Sequence, residues 1–144
     1  MAAAFIRPDV RRFIDYLEGL NRPKGYEIGP VAARQMMLAT RQAFERPARE
    51  IAVLREVVGP VPLRLYDARE HREPGPVLLF IHGGGWVIGG LDTHEPFCID
   101  VAIELDLPVV AIDYRLAPEN PFPAAAEDSI AAARWVASGQ AELR

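Results

Sequence analysis

The sequence predicts an α/β fold in which parallel strands are covered by helices, and three observations predict it. Residues 77–81 and 109–112 are short continuous apolar runs, the pattern of strands buried on both faces rather than one. A helical pattern lies between them, and a run rich in glycine, from His82 to Gly90, follows the first strand directly. Parallel neighbours need such a crossover, so strand, helix and strand form one βαβ unit.

The earlier elements read in order. Val10, Phe13, Ile14 and Leu17 recur at helical spacing after Pro8 and Asp9, and a second helix is expected over 30–44, with 21–29 as the turn between. Residues 51–58 and 61–67 are β-rich runs divided by Gly59-Pro60, which predicts an antiparallel hairpin. In the crossover helix the apolar stripe is Cys98, Val101, Ala102 and Leu105, closed by Pro108, and the crossover should be right-handed. A last helix from Ala124 places Ala126, Ile130, Ala133 and Val136 on one side, with Gly139 as its C-terminal cap. A third parallel strand is expected next. Two units follow: 1–48, helical, and 49–144, the sheet with its helices.

Composition narrows the function classes. The 144 residues are half hydrophobic, enough for a core. The net charge of -4 mixes 16 basic and 20 acidic residues with no basic run to track a phosphate backbone, so nucleic acid is not an expected partner. The single cysteine, Cys98, has no intramolecular partner and reads as a small core residue, and three histidines supply no cluster spaced for zinc. No metal or other cofactor is expected. Arg7, Asp9, Arg11 and Arg12 interrupt the N-terminus before a secretory segment could form, and no later run is long enough to span a bilayer. The expected location is cytoplasmic.

The chemistry is concentrated in His82-Gly83-Gly84-Gly85-Trp86, at the C-terminal end of a parallel strand, where open α/β sheets bind ligands. Glycines admit positive φ, so successive N–H groups can turn toward one point and receive negative charge. Phosphate and an acyl-transfer oxyanion are the two obvious anions. The dinucleotide fingerprint fails because Ile88 stands where glycine or alanine is required, and a phosphate-binding Walker loop fails because Leu91, not lysine, follows Gly90. HGGG after a sheet strand is instead the form in which lipases and esterases build part of their oxyanion hole. The structural alternative is a glycine turn that lets a helix pack closely.

A second segment, residues 113–125, which opens Asp113-Tyr114-Arg115-Leu116-Ala117-Pro118-Glu119 and continues Asn120-Pro121-Phe122-Pro123-Ala124-Ala125, lies just beyond the second buried strand. Together with Leu91-Asp92-Thr93-His94, these motifs make the chain resemble the hormone-sensitive-lipase family of α/β-hydrolase esterases, also called bacterial esterase family IV, over roughly residues 50–140. The resemblance implies the N-terminal portion of an α/β-hydrolase fold: two cap helices, the hairpin, the βαβ unit and a further helix, with the first four strands of the sheet. It implies a carboxylic-ester hydrolase working through a serine acyl-enzyme on a small acyl ester. Gly83, Gly84 and Gly85 would supply oxyanion donors while His82 shapes the loop. Arg115 and Glu119 are expected to pair and anchor the second motif. Trp86 is a weaker candidate for lining the acyl pocket. His94 is expected to cap or brace the loop rather than act as a base, His71 to be solvated, and Met36 and Met37 to pack in the core rather than touch an acyl chain.

The departure from the family is the nucleophile. Its serine belongs in a G-x-S-x-G elbow, with Asp and His later in the chain. Ser129 and Ser138 are the only serines, and neither has glycines two residues to each side. The expectation is a truncated or interrupted esterase, inactive alone. A binding or interaction module derived from the fold is the alternative, and completion by a second chain is a third reading. Truncation is favoured because 144 residues stop shortly before the elbow is due, and binding modules in this fold normally retain the whole sheet. In the family's strand order the run 77–81 would border the nucleophile strand, so an open edge and self-association are expected.

Overall fold

The computed structural model describes residues 5–43 and 49–139. Its elements are α1 (Pro8–Gly19), α2 (Gly25–Ala43), β1 (Val53–Val57), β2 (Leu63–Asp67), β3 (Leu78–Ile81), α3 (Leu91–Leu105), β4 (Val109–Ile112) and α4 (Ala124–Ala137). The four strands form one mixed sheet in the order β1-β2-β4-β3. β1 and β2 pair antiparallel, β2 runs antiparallel to β4, and β3 pairs with β4 in parallel. The hairpin and the βαβ unit are therefore both as the sequence predicts, and β3 lies at the edge.

Period-two alternation sorts the core onto two faces. On β4, Val110 and Ile112 join Leu63, Leu65, Ala125 and Ala132 on the α4 side. Val109 and Ala111 join Tyr66, Leu91, Cys98, Ile99 and Ala102 on the α3 side. All four β4 residues are buried, which is why this strand reads as unbroken apolar sequence while the exposed positions of β1 do not. Burying each large aliphatic side chain here contributes roughly 1.5–3 kcal/mol. Arg64, on the sheet, ties α3 down by donating to Asp92 at 2.9 Å and Glu95 at 2.7 Å.

The helices depart from expectation in their faces. α4 turns Ala124, Ala125, Asp128 and Ala132 inward, while Ile130 is 53% exposed and Ala133 is also exposed. The predicted stripe therefore holds at Val136, which packs against the core, and at half-buried Ala126, but fails at Ile130 and Ala133, because the small alanines fit close to the sheet and Asp128 is drawn in by Arg115. α3 buries Cys98 and Ala102 as expected but leaves Leu105 exposed, since its left-handed Asp106 ends the helix there. α1 forms where predicted yet buries no residue. The second helix breaks at Gly29 (φ 77°), so the regular part begins at Pro30, as the sequence predicts, after one helical turn from Gly25. Phe44, its expected end, lies outside the described residues. Gly139 has φ 70° and its N–H donates to Val136 O at 3.1 Å, closing α4 as a C-terminal cap.

Candidate functional site

Because β3 and β4 run parallel as neighbours, the segments that follow them leave from the same end of the sheet. The glycine loop 82–90 follows β3 and the second motif 113–123 follows β4. Topology thus joins two motifs that sequence could only list separately.

The loop's backbone depends on its glycines. Gly84 (φ 130°), Gly85 (φ 61°) and Gly89 (φ 97°) occupy the left-handed region, and Trp86 does so as well at 61°. A Cβ on Gly84 would lie 1.9 Å from the Ile88 carbonyl oxygen, and one on Gly89 would lie 2.5 Å from the Gly83 oxygen. Gly83 faces open space. The Gly84 carbonyl accepts the N–H groups of Val87 and Ile88 at 3.2 and 3.1 Å, closing the turn. The Gly84 and Gly85 N–H groups meet no acceptor among the described residues. An anion arriving at the end of β3 would therefore find donors without displacing an internal bond.

His82 is buried, 5% exposed. Its Nδ1 lies 2.9 Å from the Gly83 carbonyl oxygen, which selects the neutral tautomer carrying hydrogen on Nδ1. Burial lowers its pKa below the usual histidine value, so the ring is neutral at neutral pH. Tyr114 stacks on it. The His94 ring also stacks with it, centroids 5.5 Å apart, with its own Nδ1 2.9 Å from Thr93 Oγ1. Thr93 Oγ1 also accepts the Gly90 N–H at 3.0 Å and donates to the Gly90 carbonyl at 2.9 Å. His94 thus braces the start of α3, as its position in sequence suggests. His71 is exposed.

The second motif is anchored differently from expectation. Arg115 and Glu119 do not pair with each other. Arg115 Nε and Nη2 grip the buried Asp128 carboxylate at 2.9 and 2.7 Å, and its N–H donates to the same group at 2.9 Å. Glu119 instead receives Arg34 from α2, at 2.9 and 2.7 Å. Four residues of sequence separation suggested a local pair, but that spacing brings side chains together only on a helix, and residues 115–119 are not helical. Arg34 was not legible as a site residue, because its partners lie 53 to 85 positions away.

Trp86 is 66% exposed, so it stands beside the loop rather than packing under it. Met36 and Met37 are half-buried and line an open, largely apolar cleft of about 420 Å³ with Ala33, Thr40, Ile88 and Thr93. They border the glycine loop's end instead of filling the core, and among the described residues of α2 only Ala33 is buried. Cys98 is buried, as expected. No described helix is long and apolar enough to cross a membrane.

The chain is similar to several known proteins. A family described as alpha/beta hydrolase fold matches residues 78–144. The carboxylesterase NlhH of Mycobacterium tuberculosis is 40% identical over 119 residues, covering 83% of this chain and 37% of the relative. The esterase LipI of the same organism is 51% identical over 81 residues, covering 55% of this chain and 25% of its own length. Among solved structures, the hyperthermophilic esterase from Pyrobaculum calidifontis superposes with a TM-score of 0.83 at 30% identity, covering 96% of this chain and 45% of that one. The chain thus has the N-terminal portion of an α/β-hydrolase fold and is similar to carboxylesterases that carry it. It spans little more than a third of the length of NlhH and corresponds to the N-terminal portion of these relatives.

Proposed function

We propose that this chain carries the oxyanion-binding part of a serine carboxylesterase, and that the 144-residue polypeptide does not turn over esters by itself. The observation that carries the reading is the pair of unengaged N–H groups at Gly84 and Gly85, held in a positive-φ loop at the end of β3. In ester hydrolysis the carbonyl oxygen gains negative charge as the tetrahedral intermediate forms. Donors already aimed at that position stabilise it without reorganisation, each worth about 2.7–4 kcal/mol where one has been removed in other enzymes. His82 would act through the loop: neutral and in contact with the Tyr114 and His94 rings, it shapes the backbone and takes no proton from substrate.

The nucleophile is what this polypeptide does not provide. Ser129 Oγ donates to the Ala125 carbonyl at 2.7 Å, and Ser138 Oγ to the Trp135 carbonyl at 2.7 Å. Both hydroxyls bond back to carbonyls of α4, and neither serine stands in a G-x-S-x-G turn. Nucleophilic activation requires a base within hydrogen-bond reach. The complete enzyme would act on a small acyl ester, with Trp86 beside the acyl group, while α1 and α2 serve as its cap. The exposed edge of β3, where Ile81 is 47% exposed, favours association with another strand.

The test is chemical. The polypeptide is expected to give no turnover of a short-chain aryl ester above buffer and no labelling by a serine-reactive phosphonate. Stoichiometric labelling of Ser129 or Ser138 would overturn the assignment of missing nucleophile. Reading the coding sequence beyond the Arg144 codon in all frames completes the test: a G-D-S-A-G-G-like stretch supports an esterase origin.

A further inference from the structure

One side chain joins the N-terminal helices to both motif loops. Arg34, on α2, donates from Nε to the Val87 carbonyl oxygen at 2.8 Å and from Nη2 to the Ala117 carbonyl oxygen at 2.8 Å. Nη1 and Nη2 also reach the two oxygens of Glu119 at 2.9 and 2.7 Å. A guanidinium is planar and offers five N–H donors in a fixed fork. Here one rigid group spans three segments of the chain.

Each carbonyl it holds lies at a constrained point. Val87 closes the turn that begins at Gly84, and the turn contains three successive positive-φ residues, Gly84, Gly85 and Trp86. Trp86 is not glycine, and such a conformation persists only where the surroundings over-determine it. Its own side chain is exposed and cannot supply that constraint. The constraint comes from the backbone: the Ala117 N–H donates to the Trp86 carbonyl at 2.8 Å, and Arg34 takes the carbonyls of the next residue, Val87, and of Ala117 itself. Trp86, Val87, Ala117 and Arg34 form a closed circuit. Glu119 neutralises the guanidinium and fixes its plane, and the bond to Arg34 lowers the Glu119 pKa to about 2.

We propose that Arg34 is a positioning residue for the glycine loop: it sets the path of 84–87, and with it the direction of the Gly84 and Gly85 N–H groups, and it makes that path depend on the seating of α2. Its catalytic meaning rests on the oxyanion reading above, whereas the circuit itself does not. Lysine cannot replace it, because a compact ammonium on a flexible stem cannot bond two carbonyls and a carboxylate in one plane.

Amide hydrogen exchange on the whole 144-residue chain tests this. The reporters are the bonded amides of Val87, Ile88 and Ala117, and the references are those of Leu65 and Val110 in the sheet. Arg34→Ala should speed exchange at the reporters by about tenfold or more while the references stay unchanged. Arg34→Lys should fail to restore protection, and it supplies the same reading should Arg34→Ala not fold. Glu119→Gln, which leaves both carbonyl bonds, should change the reporters by less than about threefold. Faster exchange confined to α2, with the reporters at wild-type rates, would overturn the proposal, as would full protection in Arg34→Lys. Protection does not require turnover, so the esterase reading fails by the labelling test and the positioning role by this one.

Discussion

Tyr114 lies flat on the His82 ring, with centroids 4.1 Å apart and planes 11° from parallel, while its hydroxyl donates to the His82 carbonyl oxygen at 2.8 Å. A single residue, two positions past the end of β4, thus holds both the side chain and the backbone of the residue that opens the glycine loop. The contact is buried, so the hydroxyl bond and the stack can be separated by substitution. Tyr114→Phe keeps the ring and strands the carbonyl, and should cost about 1–2 kcal/mol. Tyr114→Ala removes both and should cost about 3–5 kcal/mol. Urea denaturation of the three proteins measures the difference, and equal midpoints for wild type and Tyr114→Phe would show that the hydroxyl contributes nothing.

The glycines are not equivalent. Gly84→Ala places a methyl 1.9 Å from the Ile88 oxygen at φ 130°, so the turn must open, with a destabilisation of about 2 kcal/mol or more. Gly83→Ala meets open space and should stay within about 0.5 kcal/mol of wild type. Thermal melts of the two variants check the order. The reverse order would mean that the loop has another path.

The Arg115–Asp128 grip carries a pH dependence. Arg115 lowers the Asp128 pKa below the ordinary aspartate value, so the contribution is fully present above the unfolded-state pKa of about 3.9 and is lost as pH falls through the lower folded value. Asp128→Asn should cost about 1–3 kcal/mol at neutral pH. Its deficit relative to wild type should shrink below pH 4, as followed by denaturation at stepped pH. A constant deficit would assign the effect to packing alone.

Cys98 should be chemically silent while the chain is folded. Burial between α3 and the sheet pushes its thiol up to about 12, leaving almost no thiolate at neutral pH, and the thiolate is the reactive form. Alkylation by iodoacetamide should appear only with denaturant. Rapid labelling in buffer would show that α3 separates readily from β2 and β4.

Much of the architecture was legible because it is written in local patterns. The unbroken apolar runs 77–81 and 109–112 gave β3 and β4, and Gly59-Pro60 divided β1 from β2. The glycine motif falls at the end of a parallel strand by sequence alone, since strand and motif are adjacent. Helix faces were less legible. Ile130 is more apolar than Ala132, yet Ala132 is buried and Ile130 exposed, because the space between α4 and the sheet suits a small side chain and Asp128 must turn inward to meet Arg115.

The sequence by itself determined the order of elements and the position of the HGGG loop, because each depends on residues within one short window. Only the tertiary structure decided which charges meet. Arg34 takes Glu119 and two carbonyls, and Arg115 takes Asp128. Those partners are brought together by chain segments crossing at the end of the sheet. Spacing along a chain sets contacts only within a helix or a strand, and beyond that range the packing of elements chooses them.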